Sequence, residues 1–214
     1  MSLLAELERH IARRAKTRAL LNVLFWIYGS TFDLRHGVST ARRVGKVDLD
    51  ARGNQDSQGY EAICGWHLRA GLPPGCVKPT DVLADIGSGK GRGVLLAASR
   101  YPFARVIGVE HDERLHRRAK VNLEKWRGPN LSPVELVHAD ALEWPLPADL
   151  SIVLLFNPFV GSTFTSFIES LAAHLREHPR PLRLVYYNAR MHEAVVASGF
   201  NFVGRFGRVS VYLW

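Results

Sequence analysis

Cysteine is scarce in this chain of 214 residues, which contains only Cys64 and Cys76. Neither lies in a Cys-x-x-Cys or Cys/His spacing, so we expect neither a disulfide framework nor a zinc site. Apolar runs of about 18 residues are also missing, so we expect no integral membrane insertion. The first residues lack the basic-then-apolar order of a secretory signal. Together these absences predict a cytoplasmic protein.

Acidic residues are scarce in the first quarter of the chain. Residues 1–52 carry ten lysines and arginines against five acidic residues, within a formal net charge of +8 for the whole chain. Positive potential concentrates anionic partners, so the N-terminal helix could dock on an acidic partner. Charge alone leaves nucleic acid, an acidic protein and a membrane surface open, as well as an ordinary basic surface without a partner.

Hydrophobic residues recur at helical spacing over residues 3–28, which predicts an N-terminal helix. Its last part, residues 20–28, is apolar all round and too short to span a bilayer. This part could pack on its own domain, lie on a membrane surface or serve a homodimer. Residues 29–59 are rich in Gly, Ser, Asp and Arg without a clear period, which predicts a loop or lid. We therefore expect an N-terminal helix and lid segment at residues 1–60, followed by one domain at residues 61–214.

Strand and helix patterns alternate through that domain. The strands are short, continuous apolar runs, which are typical of a parallel sheet covered on both faces. They are predicted at residues 81–86, 104–110, 133–138, 150–156, 182–187, 200–206 and 208–214, and the helices at 94–99, 112–126, 163–177 and 190–198. The predicted fold class is α/β: a doubly wound, mostly parallel seven-strand sheet with an antiparallel C-terminal hairpin at Gly207, plus the N-terminal helical extension.

A glycine-rich turn follows the first strand, in the sequence Asp85-Ile86-Gly87-Ser88-Gly89-Lys90-Gly91-Arg92-Gly93. Glycines allow positive φ and the close approach of a ligand, and the next helix supplies free N–H groups at its N-terminus. Counting from Gly87, the sixth position of a dinucleotide fingerprint is Arg92, where glycine or alanine is required. No GxxxxGK frame precedes Lys90, so the turn is not a Walker loop. A dinucleotide-dependent oxidoreductase is therefore disfavoured.

Acidic residues stand at or just beyond the ends of three predicted strands, at Asp85, Glu110 and Asp140. In an open parallel sheet, ligands bind beyond the carboxyl ends of the strands. We therefore expect the three carboxylates to surround one crevice. The nine histidines form no ligand cluster, so we expect no metal. His138 lies inside an apolar run, which favours a core position over a role as general base.

Taken together, these features resemble the seven-strand, class I methyltransferases that depend on S-adenosylmethionine (SAM), over about residues 80–214. The resemblance implies a Rossmann-like methyltransferase fold and SAM as cofactor. It also implies that Glu110 binds the ribose hydroxyls and that Asp140, with the backbone of Ala141, binds adenine. The first motif, which cradles the methionine part of SAM, corresponds to Asp85, Gly87, Ser88, Gly89 and Gly91. Carboxylates suit SAM, because it carries a sulfonium, an ammonium and a ribose diol.

The fourth strand is followed by Asn157-Pro158-Phe159. This run resembles the Asn/Asp-Pro-Pro-aromatic motif of methyltransferases that act on planar nitrogens, although the second proline is missing. It also resembles the Asn and Phe of Dot1-type lysine methyltransferases. The segment from Phe32 to Val38 is similar to one in small, uncharacterised bacterial methyltransferases. We predict that Asn157, Pro158 and Phe159 orient the acceptor, with a nitrogen of a protein side chain or another amine expected.

Other positions carry weaker predictions. Tyr187 and Asn188 end the fifth strand and are predicted as substrate contacts, with a helix N-cap as the alternative for Asn188. Tyr60 could close over the cofactor. The methyl acceptor stays open among protein, nucleic acid and small molecule. The alternative function is a SAM-binding or nucleic-acid-binding module of methyltransferase type without catalysis.

Overall fold

The computed structural model describes residues 23, 26–42 and 59–214. The chain is helical over residues 26–36, here α1. The other helices are α2 Gly65–Gly71, α3 Arg92–Arg100, α4 Glu113–Lys125, α5 Gly161–Glu177 and α6 His192–Ala197. The strands are β1 Val82–Ile86, β2 Arg105–Glu110, β3 Val134–His138, β4 Leu150–Phe156, β5 Arg183–Tyr187, β6 Asn201–Phe206 and β7 Val209–Leu213.

The seven strands form one sheet in the order β3-β2-β1-β4-β5-β7-β6. Strands β1 to β5 pair in parallel, whereas β7 pairs antiparallel with both β5 and β6. Strand β1 lies between β2 and β4, so the strand order reverses at β1. Ligands of such sheets bind outside the carboxyl ends of the strands at this reversal.

Both faces of the sheet are covered by helices, which confirms the predicted α/β fold class. All five residues of β1 are buried, as are the first six of β4. One hydrophobic cluster packs α5 against the sheet through Phe164 and Phe167, and a second packs α2 and α3 through Leu68 and Leu96. This burial on both sides explains why the central strands are continuous apolar runs.

The predicted elements of residues 61–214 are confirmed to within a few residues, and so is the predicted N-cap of α4. Asp112 is the N-cap of α4, where its side chain accepts hydrogen bonds from the backbone of Arg114 and Leu115. The C-terminal hairpin turns at Gly207, which has a φ of 64°. Helix α2 is an element that the hydrophobic pattern does not reveal.

The prediction of a loop over residues 29–59 is wrong for its first part, because residues 26–36 are helical. The helix ends at Gly37, whose φ is 72°. An inward-facing position of this helix is the charged Asp33, which pairs with a buried arginine, so no apolar period marks it. Predictions for residues 1–22, 24–25 and 43–58 lie outside the described residues. No helix in the described ranges has the length and hydrophobicity needed to cross a bilayer.

Candidate active site

A cavity of about 380 Å³ opens at the carboxyl ends of β1, β2 and β4, beside the N-terminus of α3. This is the point of strand reversal, and the volume lies within the range of small-molecule sites. The predicted residues that line the cavity are Asp85, Gly87, Ser88, Gly89, Glu110, Asp140, Ala141, Asn157, Pro158 and Phe159. Ten of the thirteen residues predicted from sequence for the site are thereby brought together around one space.

The glycine-rich turn between β1 and α3 forms one side of the cavity. Gly87, Gly89 and Gly91 have φ values of 72°, 58° and 81°, which residues with a side chain rarely adopt. The backbone amides of Gly87 and Ser88 both donate to the carbonyl of Val109, at 2.9 and 3.0 Å. These bonds fix the turn against the end of β2. Gly91 does not line the cavity; it is the N-cap of α3.

Ser88 places a polar atom at this turn. The side chain is 5% exposed, and its Oγ has no hydrogen-bond partner among the described residues. A buried hydroxyl without a partner costs free energy of about 1–3 kcal/mol. Ser88 is therefore ready to bond to a polar group that enters the cavity.

Asp85 is the most deeply buried carboxylate of the site, with 3% of its surface exposed. Burial raises the pKa of Asp85 to about 7, and the nearby charge of Glu110 adds to the effect. The Asp85 carboxylate packs against Gly93, so closely that a Cβ added at Gly93 would collide with it. The site thus holds a carboxylate whose ionised form is costly until a cation lies beside it.

Glu110 ends β2 and is held from two sides. Its Oε2 accepts a hydrogen bond from the backbone of Gly89 at 2.7 Å, and its Oε1 accepts one from Asp112 at 2.8 Å. Burial raises the pKa of Glu110, while these two hydrogen bonds act in the opposite direction. Each carboxylate oxygen can accept a second hydrogen bond. Glu110 can therefore bind two hydroxyl groups of a ligand without losing its own supports.

Asp140 lies beyond the end of β3, on the far side of Glu110. Its Oδ1 accepts a hydrogen bond from the backbone of Leu142 at 2.9 Å, and its Oδ2 lies 3.9 Å from Nδ1 of His111. The core position expected for His138 is wrong, because this residue is exposed at the end of an edge strand and lines the cavity. Its ring stacks on His116, with the ring centroids 5.3 Å apart.

Asn157, Pro158 and Phe159 follow β4 and form the wall across from Asp140. Asn157 has a φ of 53°, one of two positive values among the described residues other than glycine. Such backbone strain concentrates at functional sites. Phe159 is 8% exposed and packs edge-on against Phe167 at 5.7 Å between centroids. The core therefore fixes the position of this wall.

Tyr187 and Asn188 do not line the cavity. The Tyr187 ring stacks behind Phe156, with centroids 4.1 Å apart, and its hydroxyl accepts a hydrogen bond from Arg208 at 3.2 Å. Asn188 also has a φ of 53°, and its backbone donates to the carbonyl of Arg208 at 2.7 Å. Asn188 is not a helix N-cap, since Met191 holds that position in α6. A substrate role for these two residues stays a prediction.

Tyr60, which the sequence suggested could close over the cofactor, lines the cavity together with residues that were not predicted for the site. Tyr60 lies against Gly89, so closely that an added Cβ at Gly89 would collide with its ring. Glu61 and Ile63 continue the same wall. Sequence patterns could not have identified Glu61 and Ile63, because no motif surrounds them. In the described ranges, no group of three or more His, Cys, Asp or Glu side chains is arranged to hold a metal ion.

Comparisons with known proteins point to one kind of domain. The family model described as a methyltransferase domain matches residues 83–179. No curated protein matches this chain. Among solved structures, the chain is similar to an RNA methyltransferase from Salinibacter ruber in complex with S-adenosyl-L-homocysteine, with 25% identity, a TM-score of 0.49, and coverage of 72% of this chain and 92% of that chain.

A second similar structure is the mitomycin 7-O-methyltransferase MmcR, with 14% identity and a TM-score of 0.50, covering 69% of this chain and 52% of that chain. A third is the ribosomal protein L11 methylase from Lactobacillus delbrueckii subsp. bulgaricus, with 18% identity, a TM-score of 0.49, and coverage of 69% and 75%. At 14% sequence identity, the match to MmcR shows a shared fold and no more. The resemblance to class I methyltransferases is confirmed, whereas the Dot1-type likeness stays a prediction.

Proposed function

We propose that this chain, in which residues 83–179 match a methyltransferase domain, binds SAM and transfers its methyl group to an amine nitrogen. The observation that carries the proposal is the convergence of Asp85, Glu110 and Asp140 on one cavity beside the glycine turn. Three carboxylates suit a cationic ligand with a ribose diol. They oppose a pyrophosphate cofactor, whose charge has the same sign.

The polar groups that line the cavity also fit SAM. Ser88 has a buried hydroxyl without a partner among the described residues, and SAM carries an ammonium and a carboxylate at its methionine end. Asp85 has a pKa raised to about 7 by burial, which a neighbouring cation would lower. Glu110 has accepting capacity left on both oxygens. Each of these three groups would gain a partner from the cofactor.

Each group of site residues would bind a different part of the cofactor. Asp85, Gly87, Ser88, Gly89 and Gly91 would hold the methionine part, with Gly91 acting through the cap of α3. Glu110 would accept hydrogen bonds from the ribose hydroxyls, and Asp140 with the backbone of Ala141 would bind adenine. When bound, SAM supplies a methyl carbon that its sulfonium already activates, so the chain needs to position the acceptor rather than to activate the methyl group.

The acceptor would enter beside Asn157 and Pro158. The Asn157 side chain and the Pro158 carbonyl can accept hydrogen bonds from an amine, and Phe156 and Phe159 supply apolar walls that exclude water. The carboxylate of Glu61, which lines the cavity next to Tyr60, favours an acceptor of positive or neutral charge over an anion. A nitrogen on a protein side chain or another amine meets these conditions.

The experiment that tests this function is transfer of a tritiated methyl group from SAM into a fractionated cell lysate. We expect label in one fraction with the wild-type chain and loss of that label with Glu110→Ala. Digestion with protease or nuclease then identifies the acceptor class. SAM binding without transfer into any fraction would instead favour a binding module, and salt-sensitive nucleic-acid binding that is independent of SAM would favour a nucleic-acid binder.

A further inference from the structure

Arg92 is among the residues that line the cavity, and its side chain is held by contacts with residues 29–40. Arg92 begins α3 directly after the glycine turn, and only 2% of it is exposed. Its Nη2 donates to Oδ1 of Asp33 at 2.8 Å and to the carbonyl of Gly29 at 2.9 Å, and its Nε donates to the Thr40 hydroxyl at 2.5 Å. The guanidinium also lies 4.4 Å from the centre of the Phe32 ring. These four contacts of the buried cation all come from the segment before the domain.

Asp33 is the centre of these contacts. Its Oδ2 accepts from the backbone of Thr40 at 2.6 Å and of Ala41 at 2.7 Å, and its Oδ1 accepts from the Thr40 hydroxyl at 2.6 Å as well as from Arg92. The Asp33 carboxylate thus connects α1 to residues 40 and 41 and also connects this segment to α3. Removing one partner of such a buried pair leaves an uncompensated charge, which is strongly unfavourable.

A second connection runs from the same segment to the glycine turn. The Tyr60 hydroxyl donates to the carbonyl of Thr40 at 2.8 Å, and the Tyr60 ring packs against Gly89. Gly89 in turn donates its backbone N–H to Glu110. Asp33 is therefore linked through Thr40 and Tyr60 to the residues proposed to hold the ribose.

The segment is fastened to the far side of the turn as well. Lys90 donates from Nζ to the carbonyl of Arg42 at 2.6 Å. The Asn122 amide of α4 accepts from the backbone of Ser39 at 2.9 Å and donates to the carbonyl of Lys90 at 2.9 Å. The basic side chains of the turn, Lys90 and Arg92, thus bind chain segments rather than a phosphate.

We infer that Asp33 is a positioning residue for the cofactor, which it does not touch, and that it acts through Arg92 and through Thr40 and Tyr60. This inference rests on the proposed function. Because binding free energies are reciprocal, docking of residues 29–42 strengthens SAM binding and SAM strengthens the docking. The segment before the domain is then part of the cofactor site rather than an appendage.

The experiment compares Asp33→Asn and Thr40→Val with the matched control Asp149→Asn. Asp149 forms an exposed ion pair with Arg105 away from the cavity, so its substitution removes a carboxylate of the same kind. The Kd of S-adenosylhomocysteine is measured by calorimetry for each. We expect the Kd to rise about tenfold in Asp33→Asn, to rise less in Thr40→Val and to stay unchanged in the control. If Asp33→Asn fails to fold, Thr40→Val decides.

A second readout separates positioning from a purely structural role. We expect S-adenosylhomocysteine to slow hydrogen exchange at the amides of Thr40 and Ala41 in the wild type, and to slow it less in Thr40→Val. A wild type that does not bind S-adenosylhomocysteine would overturn the proposed function and this inference with it. A wild type that binds it, with unchanged Kd in the variants and no slowing of exchange, would overturn the positioning role alone.

Discussion

Gly87 in the cofactor turn lies directly against Pro158 of the acceptor wall, so that a Cβ added at Gly87 would be 2.6 Å from Cβ of Pro158. Real Cβ atoms do not approach so closely, and the backbone of Gly87 has a φ of 72°. The absence of a side chain at one residue thus sets the spacing between the cofactor turn and the wall proposed to orient the acceptor.

The first prediction concerns this contact. Gly87→Ala would strain the backbone and push Pro158 away, so we expect cofactor binding to be lost and the thermal stability to fall. The matched control is Gly75→Ala, where φ is 81° but no atom lies within 4 Å of an added Cβ. The control should be destabilised only by the backbone strain of alanine at positive φ, about 1–2 kcal/mol. Equal effects of the two substitutions in calorimetry and thermal melts would refute the importance of the contact.

The second prediction concerns the pH dependence set by Asp85. Its pKa is raised from 3.8 to about 7 in the folded chain, so the stability it contributes is present below the unfolded pKa and is lost as pH rises through about 7. Without ligand, Asp85→Asn should therefore gain in melting temperature over the wild type as pH rises from 4 to 7. Melting temperatures across this range measure the difference.

The same carboxylate should give SAM binding an opposite pH dependence. A cation beside Asp85 requires its ionised form, so wild-type affinity should fall as pH drops below about 7. Asp85→Asn should bind more weakly at neutral pH and show less of this decline, whereas the exposed Asp149→Asn should behave like the wild type. A wild-type affinity that did not change between pH 5 and 7 would contradict the role of Asp85.

The third prediction separates the acceptor wall from the end of the neighbouring strand. Asn157 and Asn188 share a φ of 53°, but only Asn157 lines the cavity. Replacing each by glycine preserves the backbone conformation and removes the side chain. We expect Asn157→Gly to reduce transfer of a tritiated methyl group by about 10²-fold with little change in SAM binding. Asn188→Gly should retain transfer; an equal loss there would instead support the predicted substrate contact of Asn188.

Residues at strand ends could be predicted from the sequence, because both the strand and its last residue are local features. Asp85, Glu110 and Asp140 need only the pattern of the strands and the rule that parallel strands end at one edge of the sheet. The glycine turn is local in the same way. The place of Asn157, Pro158 and Phe159 at the site could be predicted because they directly follow a strand. The identity of the methyl acceptor could not be predicted from them.

Contacts across the chain could not be predicted in this way. Asp33 and Arg92 are 59 positions apart, and the sequence shows Arg92 only as a departure from the dinucleotide fingerprint. Hydrophobic periodicity does not reveal the helical residues 29–36, since one of their contacts with the domain is an ion pair. The exposure of His138 depends on β3 being an edge strand, which the strand order decides and a single strand cannot show.

The most direct test of the account is calorimetric titration of the purified chain with SAM and S-adenosylhomocysteine, for the wild type, Glu110→Ala and Glu135→Ala. Glu135 is an exposed residue of β3 outside the cavity, so it controls for loss of a glutamate. We predict wild-type binding that Glu110→Ala weakens by about 1–3 kcal/mol and Glu135→Ala leaves unchanged. No binding by the wild type, or binding indifferent to Glu110, would contradict the proposed cofactor site.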